Sequence, residues 1–403
     1  MKWRNASGCL KAAVCVGAFL AAVSLVWADG YRNPPESASA LGRDGGKIAD
    51  MDDASAVTIN PANMADVKSS SVLASFTLGW TEREFTGASG VTESSDDPWG
   101  YLPSVYGVMP VAGGDYAVGV GVTVPYGRSS TWDKTASFAQ AGAPYYAQLY
   151  VVNVNPGIAT RLTENLAVGI GVSLYASDVE LKQFFPVGGT LMDSKFEADG
   201  TSYGFNAGLR WDIAAGHRLG LTYRSPFDIE YDGDFTVRGA PMSQDFETEI
   251  KFPTIVGAGY SLPLGESVRL EFDVEWAEHS RNKDLPVEIE GVPPEAIPQD
   301  WEDNWSYGFG LAWDCTEAWT LRGGCMYLET PSPTRTLMPV GSEEDAPILS
   351  VGCGYNSGGH VFDLAYAVGI YGGRTVADNV NPAVNGEHDF ESHLLAMAYG
   401  YRF

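Results

Sequence analysis

The stretch that decides the fold is Leu395-Ala396-Met397-Ala398-Tyr399-Gly400-Tyr401-Arg402-Phe403. Large apolar side chains occupy every second position, and small or polar ones lie between them. A period of two is the signature of a β-strand with one greasy face. In a soluble sheet that face is buried in a core. In a membrane barrel the greasy face meets lipid and the small or polar face meets the lumen.

The same alternation recurs along the chain. Val118, Val120, Val122 and Val124 are separated by Gly119, Gly121 and Thr123. Leu166, Val168, Ile170, Val172 and Leu174 are separated by Ala167, Gly169, Gly171 and Ser173. Leu270, Phe272, Val274 and Trp276 alternate with Glu271, Asp273 and Glu275. Carboxylates on the inner face suit a polar lumen, because a soluble core cannot bury them unpaired. Short connections, such as 113–115, 163–165, 214–216, 264–266, 316–317 and 357–358, alternate with long ones at 128–144, 186–199, 282–300, 330–346 and 373–386. Short turns on one side and long loops on the other are the habit of outer-membrane barrels. The expectation is an all-β transmembrane β-barrel of about fourteen antiparallel strands over residues 71–403.

The composition agrees. Hydrophobic residues make up 45% of the 403, yet no run after the first 28 residues is long enough for a helical span. A membrane protein without such runs must close a sheet, since only helices and barrels satisfy the backbone in lipid. Forty-seven glycines and 20 tyrosines suit inward-facing small positions and interfacial girdles. Residues 1–28 read as a secretory signal peptide: Lys2, Arg4 and Lys11 precede an apolar run that ends at Val26-Trp27-Ala28. That run is short for a membrane span.

With 51 acids against 25 bases, nucleic acid is not a partner. The loop acids Glu93, Asp96, Asp97, Asp300, Glu302, Asp303, Glu343, Glu344 and Asp345 read as solvated charge, and no spacing suggests a metal site. No cofactor is implied. Cys315, Cys325 and Cys353 share parity with outward aromatic neighbours and read as lipid-facing, with a Cys325–Cys353 bridge left open. None of His217, His279, His360, His388 and His393 lies in a nucleophile motif, so no enzyme is expected.

Residues 29–70 lack the strand period and hold Asn60-Pro61-Ala62-Asn63-Met64. They form a candidate N-terminal hatch, a plug folded into the lumen.

At these residues the chain resembles the FadL-type outer-membrane transporters of long-chain fatty acids and hydrocarbons. The matching pieces are Gly30-Tyr31, Ser37 to Arg43, Asn60-Pro61-Ala62, Val124-Pro125-Tyr126-Gly127, Tyr223-Arg224-Ser225-Pro226, Tyr231 to Phe235, Asp303-Asn304-Trp305 and Pro331-Ser332-Pro333. No counterpart of the family's basic carboxylate-binding residues can be placed.

The resemblance implies a bacterial outer-membrane location and uptake of a hydrophobic small molecule by internal binding and lateral diffusion through the barrel wall. Tyr31, Asn60, Pro61 and Ala62 would belong to the ligand or hatch region. Gly119, Gly121, Pro125 and Gly127 would mark the lateral-opening strand, with Gly119 and Gly121 the expected bulge and Pro125 and Gly127 the strand end. The implied partners are outer-membrane lipid, lipopolysaccharide and, through the aromatic C-terminal strand, the barrel-assembly machinery, with the protein a monomer. A diffusion porin for small solutes is the rival reading.

Overall fold

The computed structural model describes residues 29–403 except Pro241 and Ser342. The expected leader over 1–28 lies outside the described residues. Fourteen antiparallel strands close into a barrel. They are β1 (Ser71–Gly87), β2 (Trp99–Val111), β3 (Tyr116–Thr131), β4 (Tyr146–Thr163), β5 (Leu166–Val187), β6 (Thr190–Asp212) and β7 (Arg218–Arg224). The second half is β8 (Ile255–Leu264), β9 (Val268–Ala277), β10 (Asn304–Asp314), β11 (Trp319–Leu328), β12 (Ala346–Ser357), β13 (His360–Gly369) and β14 (Gly386–Arg402). Each pairs with its sequence neighbour, and β14 closes on β1 through a register running from Ser71↔Arg402 to Gly87↔Gly386. Among the described residues, no helix is long and apolar enough to cross a membrane.

The parity argument fixes the faces. Leu395, Met397, Tyr399 and Phe403 are exposed, while Leu394, Ala396 and Ala398 are buried. Exposed Ile170, Val172 and Leu174 sit opposite buried Ala167 and Ser173 in the same way. Cys325 stands opposite Phe309 and Leu349, and Cys353 opposite Leu321 and Leu364, all on the outward face. The three cysteines are free. Cys325 and Cys353 are offset by four positions along their strands, about 13 Å at the strand rise, beyond the reach of a disulfide.

Two loop expectations are corrected. Residues 186–199 are not a loop: β5 and β6 run on past the membrane as one hairpin, turning at Gly188-Gly189 with φ +58° and +83°. Strands Phe227–Val237 and Gln244–Phe252 extend that hairpin into an outer sheet whose inner side buries Phe196, Phe235 and Phe246. The loop acids 343–345 are not simply solvated. Glu343 is buried and paired to Arg128 at 2.9 Å, and Glu344 accepts from the backbone of Gly372 and Gly373.

Residues 29–70 pack inside the strands. Short helical turns at Ala38–Leu41, Ala56–Ile59 and Pro61–Asp66 put small and apolar side chains against the wall. Inward glycines on successive strands make the room. A Cβ on Gly169 would meet Pro61 at 2.4 Å, one on Gly220 would meet Ala49 at 2.7 Å, and one on Gly310 would meet the carbonyl of Arg43 at 2.4 Å. Gly208 faces Asn60 and Gly352 faces Gly42 in the same manner. On β9 carboxylates replace glycine: Asp273 accepts from the amides of Lys47 and Ile48, and Glu271 from that of Ala49. These bonds satisfy amides that have no strand partner in a water-poor interior.

Candidate functional site

The barrel wall is not uniform. β2 and β3 are laddered only from Val111↔Tyr116 to Val105↔Val122. Above that pair β3 turns away from β2, and only the segment preceding β2 touches β3 again, at the bridge of Asp96 to Thr131. The turn is a bulge: Thr123 stands opposite Asn153 and Tyr126 opposite Val151, so Val124 and Pro125 share one partner on β4. One extra residue bends the bulged strand, and Pro125 has no N–H to offer the ladder.

This corrects the sequence expectation. The bulge is at Val124-Pro125, not at Gly119 and Gly121, and Gly127 lies within β3, which runs on to Thr131. Gly119 and Gly121 are paired on both sides. Their missing side chains make room for Met64 and for Val57 and Thr58.

The edge that β3 loses is taken up from inside. Asn33 donates its backbone N–H to the Pro125 carbonyl at 2.9 Å and its side-chain Nδ2 to that of Val124 at 2.8 Å. Gly127 N–H donates to the Tyr31 carbonyl at 2.8 Å. Residues 31–33 therefore act as a short surrogate strand. Their position is locked by charge: Arg32 Nη2 donates to both carboxylate oxygens of Glu275 on β9, at 2.9 and 3.0 Å, and Nη1 reaches Asp29 at 3.3 Å. Hydrogen bonds between two charged groups are shorter and stronger than neutral ones. Burial alone would raise the Asp29 carboxyl, but the neighbouring His279 and Arg32 hold it below the usual carboxylate range.

Behind this edge lies an interior cavity of about 80 Å³, lined by Arg32, Asn33, Glu36, Pro125, Tyr126, Arg224, Met326 and Leu328 among others. Its outer side abuts an aromatic stack. Tyr175 lies on Phe227 at 3.8 Å and 11°, Phe227 on Phe252 at 4.5 Å and 5°, and Tyr126 stands edge-on to both phenylalanines. Tyr31 packs on Trp301 at 4.7 Å with the Arg128 guanidinium 5.6 Å from its ring. The buried hydroxyls of Tyr126 and Tyr175 have no partner among the described residues. The Arg224 guanidinium donates to the Thr58 carbonyl at 3.2 Å. The cavity itself is mixed in character: Asp29, Glu36, Glu275, Arg32, Lys47 and Arg224 line it together with Tyr126, Met326 and Leu328, and the aromatic stack lies alongside.

The structure brings together Tyr31, Pro125 and Gly127. It places Asn60, Pro61 and Ala62 elsewhere, against the glycines of β5 and β6. There Asn60 accepts from the Ala62 amide at 3.1 Å and donates to the Ile48 carbonyl at 2.9 Å. Arg32, Tyr126, Tyr175, Arg224, Phe227, Phe252 and Glu275 join the site without being among the residues that the sequence assigns to it. Tyr126 and Arg224 lie inside the motif matches, and Glu275 was visible as an inward carboxylate. Tyr175, Phe227 and Phe252 carry no such mark.

The sequence model of the family described as outer membrane protein transport protein (OMPP1/FadL/TodX) matches residues 19–403. The chain belongs to this family. It is 24% identical to the long-chain fatty acid transport protein of Escherichia coli K12, with 96% of this chain and 97% of that protein covered. It is likewise 24% identical to outer membrane protein P1 of Haemophilus influenzae Rd, over 90% and 92%. Among solved structures, a Pseudomonas aeruginosa FadL homologue superposes with a TM-score of 0.83 at 19% identity, over 93% of this chain and all of that one. The Pseudomonas putida toluene transporter TodX gives 0.74 at 16%, over 92% and 99%. This FadL/TodX-family member is an outer-membrane protein for transport of hydrophobic compounds. Its homologues are transporters, not enzymes.

Proposed function

We propose that this chain takes up hydrophobic molecules, among them long-chain fatty acids or related hydrocarbons, by binding them in the cavity beside the β3 bulge and releasing them sideways through the wall. The observation that carries this reading is the interrupted ladder between β2 and β3, with residues 31–33 paired on the freed edge. Each buried CH₂ of a cargo chain contributes about 0.8 kcal/mol, which a water-filled pore cannot supply. Residues 29–70 act as the plug that keeps solutes from leaking, so a diffusion porin is the weaker reading. Movement of Tyr31 to Asn33 would free the cavity and the wall edge together.

The test is a crosslink across the gap. Cysteines at Ser104 and Thr123, one step beyond the last β2–β3 pair, would close the ladder when oxidised in a background lacking the three native cysteines. Uptake of a labelled fatty acid or alkane should fall in the oxidised form and return on reduction, with binding retained. Undiminished uptake in the crosslinked protein would refute the sideways route.

A further inference from the structure

Asp29 is the residue that cleavage after Ala28 would put first, and it is buried inside the lumen at 5% exposure. Its carboxylate accepts from Asn304 Nδ2 at 2.8 Å and lies 3.5 Å from His279 Nε2. The fully buried His279 ring closes over the next residue: a Cβ on Gly30 would stand 2.8 Å from its Cε1 and 3.2 Å from its Nδ1. Trp301 closes the other side at 2.9 Å, and Arg128 donates to the Gly30 carbonyl at 2.8 Å. Chain ends are commonly loose, but the expected start of the mature chain is gripped on every side.

Two shortfalls meet there. The first is of donors. Asn304 Oδ1 and both ring nitrogens of His279 are buried and have no hydrogen-bond partner among the described residues. With its proton on Nε2, the side that faces Asp29, the neutral ring presents Nδ1 toward Gly30 as an acceptor. Buried acceptors left without donors are rare and costly. The second shortfall is of positive charge. Ion pairs run from Asp44 to Lys47, Lys47 to Glu275, Glu275 to Arg32 and Arg32 to Asp29, at 2.9, 3.9, 2.9 and 3.3 Å. That run holds three acids and two bases, a net charge of −1, and Asp29 is one of its ends. The adjoining Arg128–Glu343 pair adds none. One positive charge with three donors at residue 29 answers both shortfalls, and an α-ammonium has that make-up.

We propose that the α-ammonium freed at Asp29 by removal of the leader is a working part of the closed wall. It donates to Asn304 Oδ1 and His279 Nδ1, neutralises the ion-pair run and so seats residues 31–33 on the β3 edge. Hydrolysis of the Ala28–Asp29 bond by a signal peptidase puts the oxygen of water on the Ala28 carboxylate, which departs with the leader. Both protons of that water end on the Asp29 nitrogen, which stays charged at pH 7. Plugging is thereby tied to maturation: the processed chain closes the wall more tightly than one carrying any residue ahead of Asp29. The proposal concerns the closed barrel and stands whatever the cargo is.

The experiment uses the full barrel purified from outer membranes after its own processing, beside a variant with one glycine inserted between Ala28 and Asp29. The insertion moves the amine by about 3.5 Å. Intact mass should place the natural start at Asp29. The reagent 2-pyridinecarboxaldehyde, which labels α-amines, should react with the folded natural chain about 10- to 100-fold more slowly than with the same chain unfolded by heat in SDS. That range follows from hydrogen bonds to a charged group. The folded glycine-extended chain should label at close to the unfolded rate, and protease should cut it faster between Tyr31 and Asn33. Heat-shifted gel mobility, equal in the two, shows that both barrels are formed. A natural start at another residue, an α-amine that labels as fast folded as unfolded, or equal cleavage of the two chains would overturn the assignment.

Discussion

Replacing Gly169 by valine tests whether the N-terminal segment is held by the wall it touches. The added Cβ would lie 2.4 Å from the carbonyl carbon of Pro61 and 2.6 Å from the nitrogen of Ala62. Those are backbone atoms, so no side chain can swing away. Ordinary contact begins near 3.4 Å, and the Pro61–Asp66 turn would have to retreat by about 1 Å, at an overpacking cost of about 1–3 kcal/mol. That cost falls on the docked segment and not on the barrel, whose ladder at Gly169↔Ala159 and Gly169↔Gly208 needs no side chain. The docked-to-released equilibrium should shift roughly 5- to 150-fold. Gly107→Val is the control, since the nearest atom to its Cβ would be 4.0 Å away. In planar bilayers the Gly169 variant should spend correspondingly more time conducting, and its residues 29–70 should be cut faster by protease. Conductance and cleavage equal to wild type would refute the reasoning.

Other outcomes follow from the same geometry. Glu275→Gln leaves the half-buried Arg32 with Asp29 as its near ion-pair partner and should cost about 1.5–3 kcal/mol of docking, read as faster proteolysis near Tyr31 with an unchanged barrel by circular dichroism. Asp29 has a depressed carboxyl, so its contribution is present above the unfolded value near 3.9 and is lost only as pH falls through the lower folded value. Docking should therefore hold from pH 7 down to about 4. Release of the segment between pH 7 and 5 in a titrated protease assay would contradict this. The outer sheet carries a row of acids on directly paired positions: Asp178↔Asp199, Asp199↔Asp232, Asp232↔Glu247 and Glu247↔Glu288. Like charges so placed repel. Glu247→Gln should slow amide exchange there by a factor set by about 0.2–1 kcal/mol, and added salt should mimic it.

The barrel was legible because lipid enforces a strict alternation. Ile170, Val172 and Leu174 had to face outward, and the two-residue parity then assigned Cys325, Cys353 and the inner carboxylates without further information. The site was legible only in part. Glycine often marks a bulge, yet Gly119 and Gly121 instead make room for Met64 and Val57. The bulge sits at Val124-Pro125, where proline's missing N–H was the better clue. The aromatic stack draws on Tyr175, Phe227 and Phe252, from β5 and the outer hairpin, and no local pattern joins residues so far apart.

The gap between β2 and β3 also has a rim, and hydrocarbon sets strict terms for one. Backbone donors and acceptors facing acyl chains without partners are intolerable in lipid. Here the β3 side of the rim is covered by three hydrogen bonds, two donated by Asn33 and one accepted by the Tyr31 carbonyl, and on the β2 side Pro103 has no N–H to orphan. The aperture is therefore as tall as the inner peptide can line, and no taller. Trimming side chains around it would change its chemistry but not its height. A wider gap would need a longer lining strand, so on the proposed sideways route the girth of the cargo would be limited by Tyr31 to Asn33.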